Sequence, residues 1–189
     1  MALRWLRNLL PQGEEAYWAT IQWLMWQKGG FGPMLGQALH FLKFNPGKSE
    51  YAEARFRDET ARLYGVLDAR LADRPYVAGE EYTIADIASW PWAARHEMQF
   101  IDLARYPNVL RWYLAIAARP AVKRGWAVPL PEDVPLPRGH RDGGGPVAEF
   151  HRFVDPTLAA RLQRHHSEHQ GVVGVEFVGL FELLQNIVP

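Results

Sequence analysis

The chain of 189 residues contains no cysteine. Disulfide bridges, thiolate nucleophiles and cysteine-based zinc sites are therefore excluded within it, and any thiol chemistry must come from a ligand. Basic and acidic residues are equal in number, at 21 each, so no net field draws the protein onto nucleic acid or an anionic membrane. We therefore expect neither of these as a partner.

Long uncharged apolar runs are also missing. The opening MALRWLRNLLPQGEE has only a short, broken apolar run and no small-residue cleavage pattern, so it does not indicate a signal peptide. The stretch GVVGVEFVGLFELLQNIVP carries Glu176 and Glu182, which are costly in hydrocarbon. No P-loop, dinucleotide fingerprint, GxSxG elbow or zinc-finger spacing occurs either. The expectation is a cytoplasmic protein without a membrane anchor.

Apolar residues recur at steps of three and four along most of the chain, which is the helical period. Hydrophobic residues make up 48% of the sequence, enough for a buried core. Three glycines and a proline in GGFGP, residues 29 to 33, predict a bend or interruption. The pattern predicts an all-α fold with helices over 14–28, 34–44, 49–73, 84–99 and 107–119, and a shorter one from 120.

The stretch GEEYTIADIASWPW contains a helix-start signature. Thr83 followed by Asp86 is a capping box, in which each side chain accepts a hydrogen bond from a backbone N–H near the helix start. Tyr82 and Ile87 are spaced to form the hydrophobic staple beside it. A catalytic carboxylate at Asp86 would need a second ionisable group, and its neighbours in sequence are apolar. The pattern therefore favours a structural role.

After Trp126 the composition changes to VPLPEDVPLPRGHRDGGGP, which is typical of an extended linker. We expect the packed domain to end near residue 128. Beyond it, RHHSEHQ places His165 and His169 one helical turn apart beside Glu168, a spacing that can bind zinc or nickel. Because no third or fourth ligand is evident, we interpret this stretch as the end of an ordinary short helix and predict no metal site.

Four segments carry a resemblance to a known family. They are WLMWQKGGFGPMLGQALHF, YAEARFRDETARLYGVLDARL, YVAGEEYTIADIASWPW and YPNVLRWYLAIAARPAV. In this order they resemble the all-helical C-terminal domain of bacterial glutathione transferases, nearest to the nu-class-like enzymes with glutathione-dependent disulfide-bond oxidoreductase activity. The resemblance covers about residues 9 to 128. It implies a helical bundle of that type with an irregular C-terminal extension.

The resemblance also implies an organisation for the chain. We expect a remnant of an interdomain helix and linker over 1–13, the helical domain over 14–128, a Pro/Gly-rich linker over 129–154 and a tail with a short helix over 155–189. Full members of the family begin with a thioredoxin-like domain that activates the glutathione sulfur, and no βαβ pattern of that kind occurs here. We therefore assign no catalytic residue and expect a truncated chain that lacks this domain.

The resemblance implies glutathione as cofactor, a small electrophile or a disulfide as substrate, and either a homodimer or a thioredoxin-like domain as partner. Arg55 matches an arginine that contacts glutathione of the neighbouring subunit, although pairing with Glu59 one turn away is an alternative. Other residues are candidates for the substrate cleft, although aromatic residues at helical spacing are commonly core. These candidates are Gln37, His40, Phe41, Trp92, Arg95 and His96.

Two functions remain open at this point. The chain is either the helical half of a glutathione transferase or disulfide reductase, or a non-catalytic dimerisation or interaction module, which includes a truncated gene product. In either case we expect an uncovered apolar surface. Its expected members are Trp5, Leu6, Leu9, Leu10 and parts of residues 23–34.

Overall fold

The computed structural model describes residues 9–128 and 133–140. These residues form helices and no strand, so the prediction of an all-α fold is confirmed. The predicted tail, its short helix and the RHHSEHQ cluster lie outside the described residues, as do Trp5 and Leu6. The α-helices are α1 (Glu14–Trp26), α2 (Gly32–Ala38), α3 (Glu50–Arg70), α4 (Ile84–Ala93), α5 (Pro107–Ala117) and α6 (Pro120–Trp126).

The first arm of the bundle remains helical from Glu14 to Phe44, and the predicted interruption at GGFGP takes the form of a change from α-helix to π-helix. A π-helical segment, Gln27–Phe31, joins α1 to α2, and a second, Leu39–Phe44, follows α2. In these segments the N–H groups bond five residues back: Gly32 N–H donates to Gln27 O, and Asn45 N–H donates to His40 O at 2.9 Å. The glycines thus change the hydrogen-bond pattern rather than end the helix.

Helix α3 is capped by Ser49, whose hydroxyl accepts from Ala52 N–H at 3.3 Å. It ends at Arg70, three residues before the predicted end. Leu63 and Leu67 point into the core and are fully buried. A spacing of four residues along α3 predicts ion pairs of Glu53 with Arg57 and of Asp58 with Arg62. Both predictions are wrong, because Arg62 binds Glu59 and the Glu53 carboxylate accepts from Gly47 N–H at 2.6 Å.

Helix α4 ends at Ala93, two residues after Pro91, and does not continue to Gln99 as predicted. Pro91 lacks the N–H that the ladder requires, which weakens the helix at this end. A separate 3₁₀-helix covers His96–Gln99 and ends at Phe100, whose φ of 60° lies in the left-handed region. A second 3₁₀-helix, Leu103–Arg105, leads into α5.

Helices α5 and α6 both begin with proline at the first position, as predicted. The start of α5 is capped from another helix, because the Asp68 carboxylate accepts from Asn108 N–H at 2.9 Å and Val109 N–H at 3.1 Å. Past α6, Val134 and Leu136 pack against the core, so this part of the Pro/Gly-rich stretch lies on the helical domain. Among the described residues, no helix is both long and apolar enough to span a bilayer.

Candidate functional site

The capping region at the start of α4 is a buried polar junction. Asp86 Oδ2 accepts from Thr83 N–H at 2.9 Å, and the Thr83 hydroxyl accepts from Ala85 N–H at 3.3 Å. Asp86 Oδ1 also accepts from Val77 N–H and from Trp112 Nε1–H, both at 2.9 Å. One carboxylate therefore joins the loop before α4, α4 itself and α5.

The environment of Asp86 is that of a structural group. Burial raises the pKa of its carboxyl above the usual range, and the donors on Val77, Thr83 and Trp112 partly offset that rise. Both oxygens already accept hydrogen bonds from protein groups, and the residue is fully buried. No substrate proton can reach this carboxylate without breaking the junction. The staple residues Tyr82 and Ile87 line one small cavity of about 10 Å³ beside it.

The exposed residue Arg55 lies on α3, in the turn before Glu59. The Glu59 carboxylate is held by Arg62, with Nε to Oε2 at 2.7 Å and Nη2 to Oε1 at 2.8 Å. This two-point contact is the main cause that lowers the pKa of Glu59, and the charge of Arg55 contributes last. The predicted pairing of Arg55 with Glu59 is therefore replaced by the Arg62 pair. Within the described part of the chain, the Arg55 guanidinium forms no ion pair.

The first three candidate cleft residues follow each other along α2 and the second π-helical segment. Gln37 is exposed, and His40 and Phe41 are half-buried. The His40 ring lies edge-on to Phe41 at 4.8 Å, and its Nε2 is 3.5 Å from the Asn45 amide nitrogen. Phe41 stacks on Phe56 of α3 with ring centroids 5.4 Å apart. Phe41 thus belongs partly to the packing between helices.

The other three candidates lie at the end of α4. Trp92 is buried, and the Arg95 guanidinium lies 5.3 Å from the centroid of its ring. His96 is also buried, with Nδ1 3.1 Å from Ile101 O. The 3₁₀-helix that begins with His96 contacts the π-helical segment that contains His40 and Phe41. The fold therefore brings the two groups of candidates to one side of the bundle.

The more open of the two described cavities lies elsewhere. It has a volume of about 590 Å³ and lies between the start of α1 and the loop before α4, with Tyr76, Tyr82, Glu80 and Glu81 in its wall. None of the six cleft candidates lines either cavity. Within the described ranges, no three metal-ligating side chains come together.

Sequence reasoning missed Gln27 and Gly32. A Cβ atom at Gly32 would lie 2.6 Å from Gln27 Nε2 and 3.0 Å from Trp92 Nε1, so the Gln27 amide and the indole of a cleft candidate both come close to the Gly32 backbone. Gln27 Oε1 is buried and has no hydrogen-bond partner among the described residues. The glycine run in GGFGP was a signal for this close approach, but it does not name the side chains that approach.

Comparison with known proteins identifies the family that the helical domain resembles. The family profile described as "Glutathione S-transferase, C-terminal domain" matches residues 31–120. The disulfide-bond oxidoreductase YfcG of Escherichia coli is 53% identical over 103 residues, which cover 54% of this chain and 48% of YfcG. A second E. coli disulfide-bond oxidoreductase, YghU, is 44% identical over 124 residues, covering 61% of this chain and 43% of YghU. The chain thus spans about half the length of the curated relatives that it matches.

Solved structures give the same result. Glutathione transferase YghU of Streptococcus pneumoniae, complexed with glutathione, superposes with a TM-score of 0.62 at 38% identity, over 70% of this chain and 54% of that one. Because the family profile, the relatives and the fold all point the same way, residues 31–120 belong to the glutathione S-transferase C-terminal domain family, and the chain contains a domain of that family.

Proposed function

We propose that this chain takes part in glutathione chemistry as the helical half of a transferase or disulfide reductase. The reaction is either conjugation of glutathione to a small electrophile or glutathione-dependent reduction of a disulfide. The similarity to two disulfide-bond oxidoreductases and to a glutathione transferase that holds glutathione supports this proposal. The thiol comes from glutathione, since the chain contains no cysteine.

The observation that carries the proposal is the state of Arg55. Its side chain is exposed, and Glu59, one turn further along α3, is bound by Arg62. Arginine binds a carboxylate through two parallel hydrogen bonds, and glutathione carries two carboxylates. Arg55 therefore offers one of them a binding group for which no ion pair among the described residues competes.

The candidate cleft supplies the second part of the site. Its proposed members are Gln37, His40 and Phe41 on the first arm and Trp92, Arg95 and His96 at the end of α4, and the segments 39–44 and 96–99 are in contact. Such a mixture of aromatic surface and a few polar groups suits a small apolar substrate. The group that activates the sulfur is expected from a thioredoxin-like domain outside these 189 residues.

Titration with glutathione and with glutathione disulfide tests this function. We expect binding by the 189-residue chain, and a loss of affinity of about tenfold to a hundredfold in Arg55→Ala, as expected for a charged hydrogen-bonded pair. Arg55→Lys should lose part of it, because lysine keeps the charge but not the two-point geometry. Arg57→Ala is the matched control, since Arg57 is also exposed on α3. Absence of glutathione and glutathione disulfide binding at millimolar ligand would eliminate this proposal.

A specific observation favours a second candidate, a non-catalytic association module. Trp18 and Met25 lie two turns apart on α1, and their side chains are 54% and 55% exposed. Large apolar side chains on one helix face promote association with another protein or a second copy. Sedimentation at micromolar concentration distinguishes the cases: association that Trp18→Glu abolishes supports the module, and a strict monomer counts against it.

A further inference from the structure

We propose that Gln27 is the positioning residue for the Trp92 indole of the candidate cleft, through a hydrogen bond from Trp92 Nε1–H to the Gln27 side-chain oxygen. The expected effect of Gln27 on ligand binding rests on the proposed function, whereas the hydrogen bond itself does not. Gln27 is 1% exposed and lies at the start of the first π-helical segment. Trp92 lies one residue before the end of α4.

The Gln27 amide and the Trp92 indole come close together at Gly32. A Cβ atom placed on Gly32 would lie 2.6 Å from Gln27 Nε2 and 3.0 Å from Trp92 Nε1. They are therefore neighbours across a position that only glycine leaves open. The same contact joins α4 to the arm that contains α1 and α2.

The end of the Gln27 amide that faces the indole decides whether a hydrogen bond can form. An indole nitrogen is a donor only, and an amide nitrogen is also a donor, so two such groups side by side repel each other. The amide oxygen of Gln27 is buried and has no hydrogen-bond partner within the described residues, and Trp92 Nε1–H is a donor close to this amide. A half-turn of the amide about its Cγ–Cδ bond exchanges the nitrogen and the oxygen at no change in shape. The buried Gln27 oxygen then accepts a hydrogen bond from Trp92 Nε1–H.

The orientation of the Trp92 indole also affects Arg95, another residue of the candidate cleft. Arg95 lies over the Trp92 ring at 5.3 Å, in the range of a cation–π contact, which depends on the orientation of the ring. A fixed indole therefore places the guanidinium of Arg95 as well. Gln27 touches no substrate in this arrangement and acts through Trp92, from inside the bundle.

Nuclear magnetic resonance of the indole N–H groups tests the hydrogen bond directly. The Trp92 Hε1 signal is identified by its disappearance in Trp92→Phe. In Gln27→Met, which keeps the length of the side chain but removes the acceptor, we expect this signal to move upfield and its hydrogen exchange to accelerate by about tenfold, the loss of one net hydrogen bond. Gln22→Met, at an exposed position of α1, is the matched control and should leave the signal unchanged.

Two further outcomes keep the proposal testable if Gln27→Met does not fold. In the wild-type chain, Trp92 Hε1 should exchange more slowly than Hε1 of the exposed Trp18, and equal rates overturn the proposal. An unchanged Trp92 signal in folded Gln27→Met also overturns it. In the binding assay, Gln27→Met should weaken glutathione disulfide by several fold. Protection of Hε1 without any ligand binding to the wild-type chain would refute the proposed function and leave the role of Gln27 standing.

Discussion

Replacing Asp86 with alanine tests the junction that holds α4, α5 and the preceding loop together. The change removes the acceptor of four donors: Val77 N–H, Thr83 N–H and Trp112 Nε1–H at 2.9 Å, and the Thr83 hydroxyl at 3.2 Å. All three residues are buried, so water replaces the carboxylate poorly. An unsatisfied buried donor costs about 1–3 kcal/mol, so the three N–H groups alone set a loss of at least about 3 kcal/mol. Because removing the carboxylate also ends the cost of burying it, we expect a total loss of about 3–5 kcal/mol in the free energy of unfolding.

Urea denaturation followed by circular dichroism measures this loss. Asp86→Asn keeps one oxygen and should cost about 1–3 kcal/mol, because one end of the side chain becomes a donor that faces other donors. Thr83→Ala removes only the cap hydroxyl and should cost about 1 kcal/mol. In the Asp86→Ala background, Trp112→Phe should cost less than it does alone, since its partner is already gone.

The reasoning fails if Asp86→Ala costs less than about 1 kcal/mol with an unchanged denaturant slope, the value expected for a cap alone. It also fails if Asp86→Asn is as costly as Asp86→Ala. Either result would mean that the donors find other partners or that the junction is solvated.

Two other predictions concern stability. Phe100 has φ of 60° and is 63% exposed, so Phe100→Asn should raise the free energy of unfolding by about 0.5 kcal/mol, whereas the β-branched Phe100→Val should lower it by about 1 kcal/mol. If urea denaturation shows the same change in the free energy of unfolding for both substitutions, the backbone at Phe100 is not strained. Burial raises the pKa of Tyr82 to about 12. The unfolded chain loses this proton near pH 10, so above that pH the folded state binds more protons, and stability falls by up to about 2–3 kcal/mol as pH rises to about 12. Tyr82→Phe should show a shallower decline, and an identical pH profile for the two proteins would refute the assignment.

Much of the helical pattern follows from signals that lie within one turn of where they act. Three helix starts are recognisable from residue type alone. In the structure α3 follows the cap Ser49, α5 begins at Pro107 and α6 begins at Pro120. The box of Thr83 and Asp86 is recognisable in the same way. These features are readable because a cap bonds to backbone groups two or three residues away.

Contacts between distant segments were not readable from local patterns. Asp68 caps α5 from forty residues away, and Asp86 accepts from Trp112 on a neighbouring helix. The spacing of residues on α3 offered Arg55 as the partner of Glu59, whereas the structure pairs Glu59 with Arg62. Several arginines lie within one turn of Glu59, and side-chain packing chooses among them. The proximity of the two groups of cleft candidates likewise depends on packing between segments that lie far apart in the sequence.

Composition and local order thus account for the helices, their caps and the exclusion of cysteine chemistry, since each depends on neighbours along the chain. Packing alone brings the Gln27 amide and the Trp92 indole close to the Gly32 backbone, and it pairs Glu59 with Arg62, so that Arg55 forms no ion pair within the described part of the chain. The reason is physical: a hydrogen bond acts over about 3 Å, so its partners are set by which surfaces of the bundle meet.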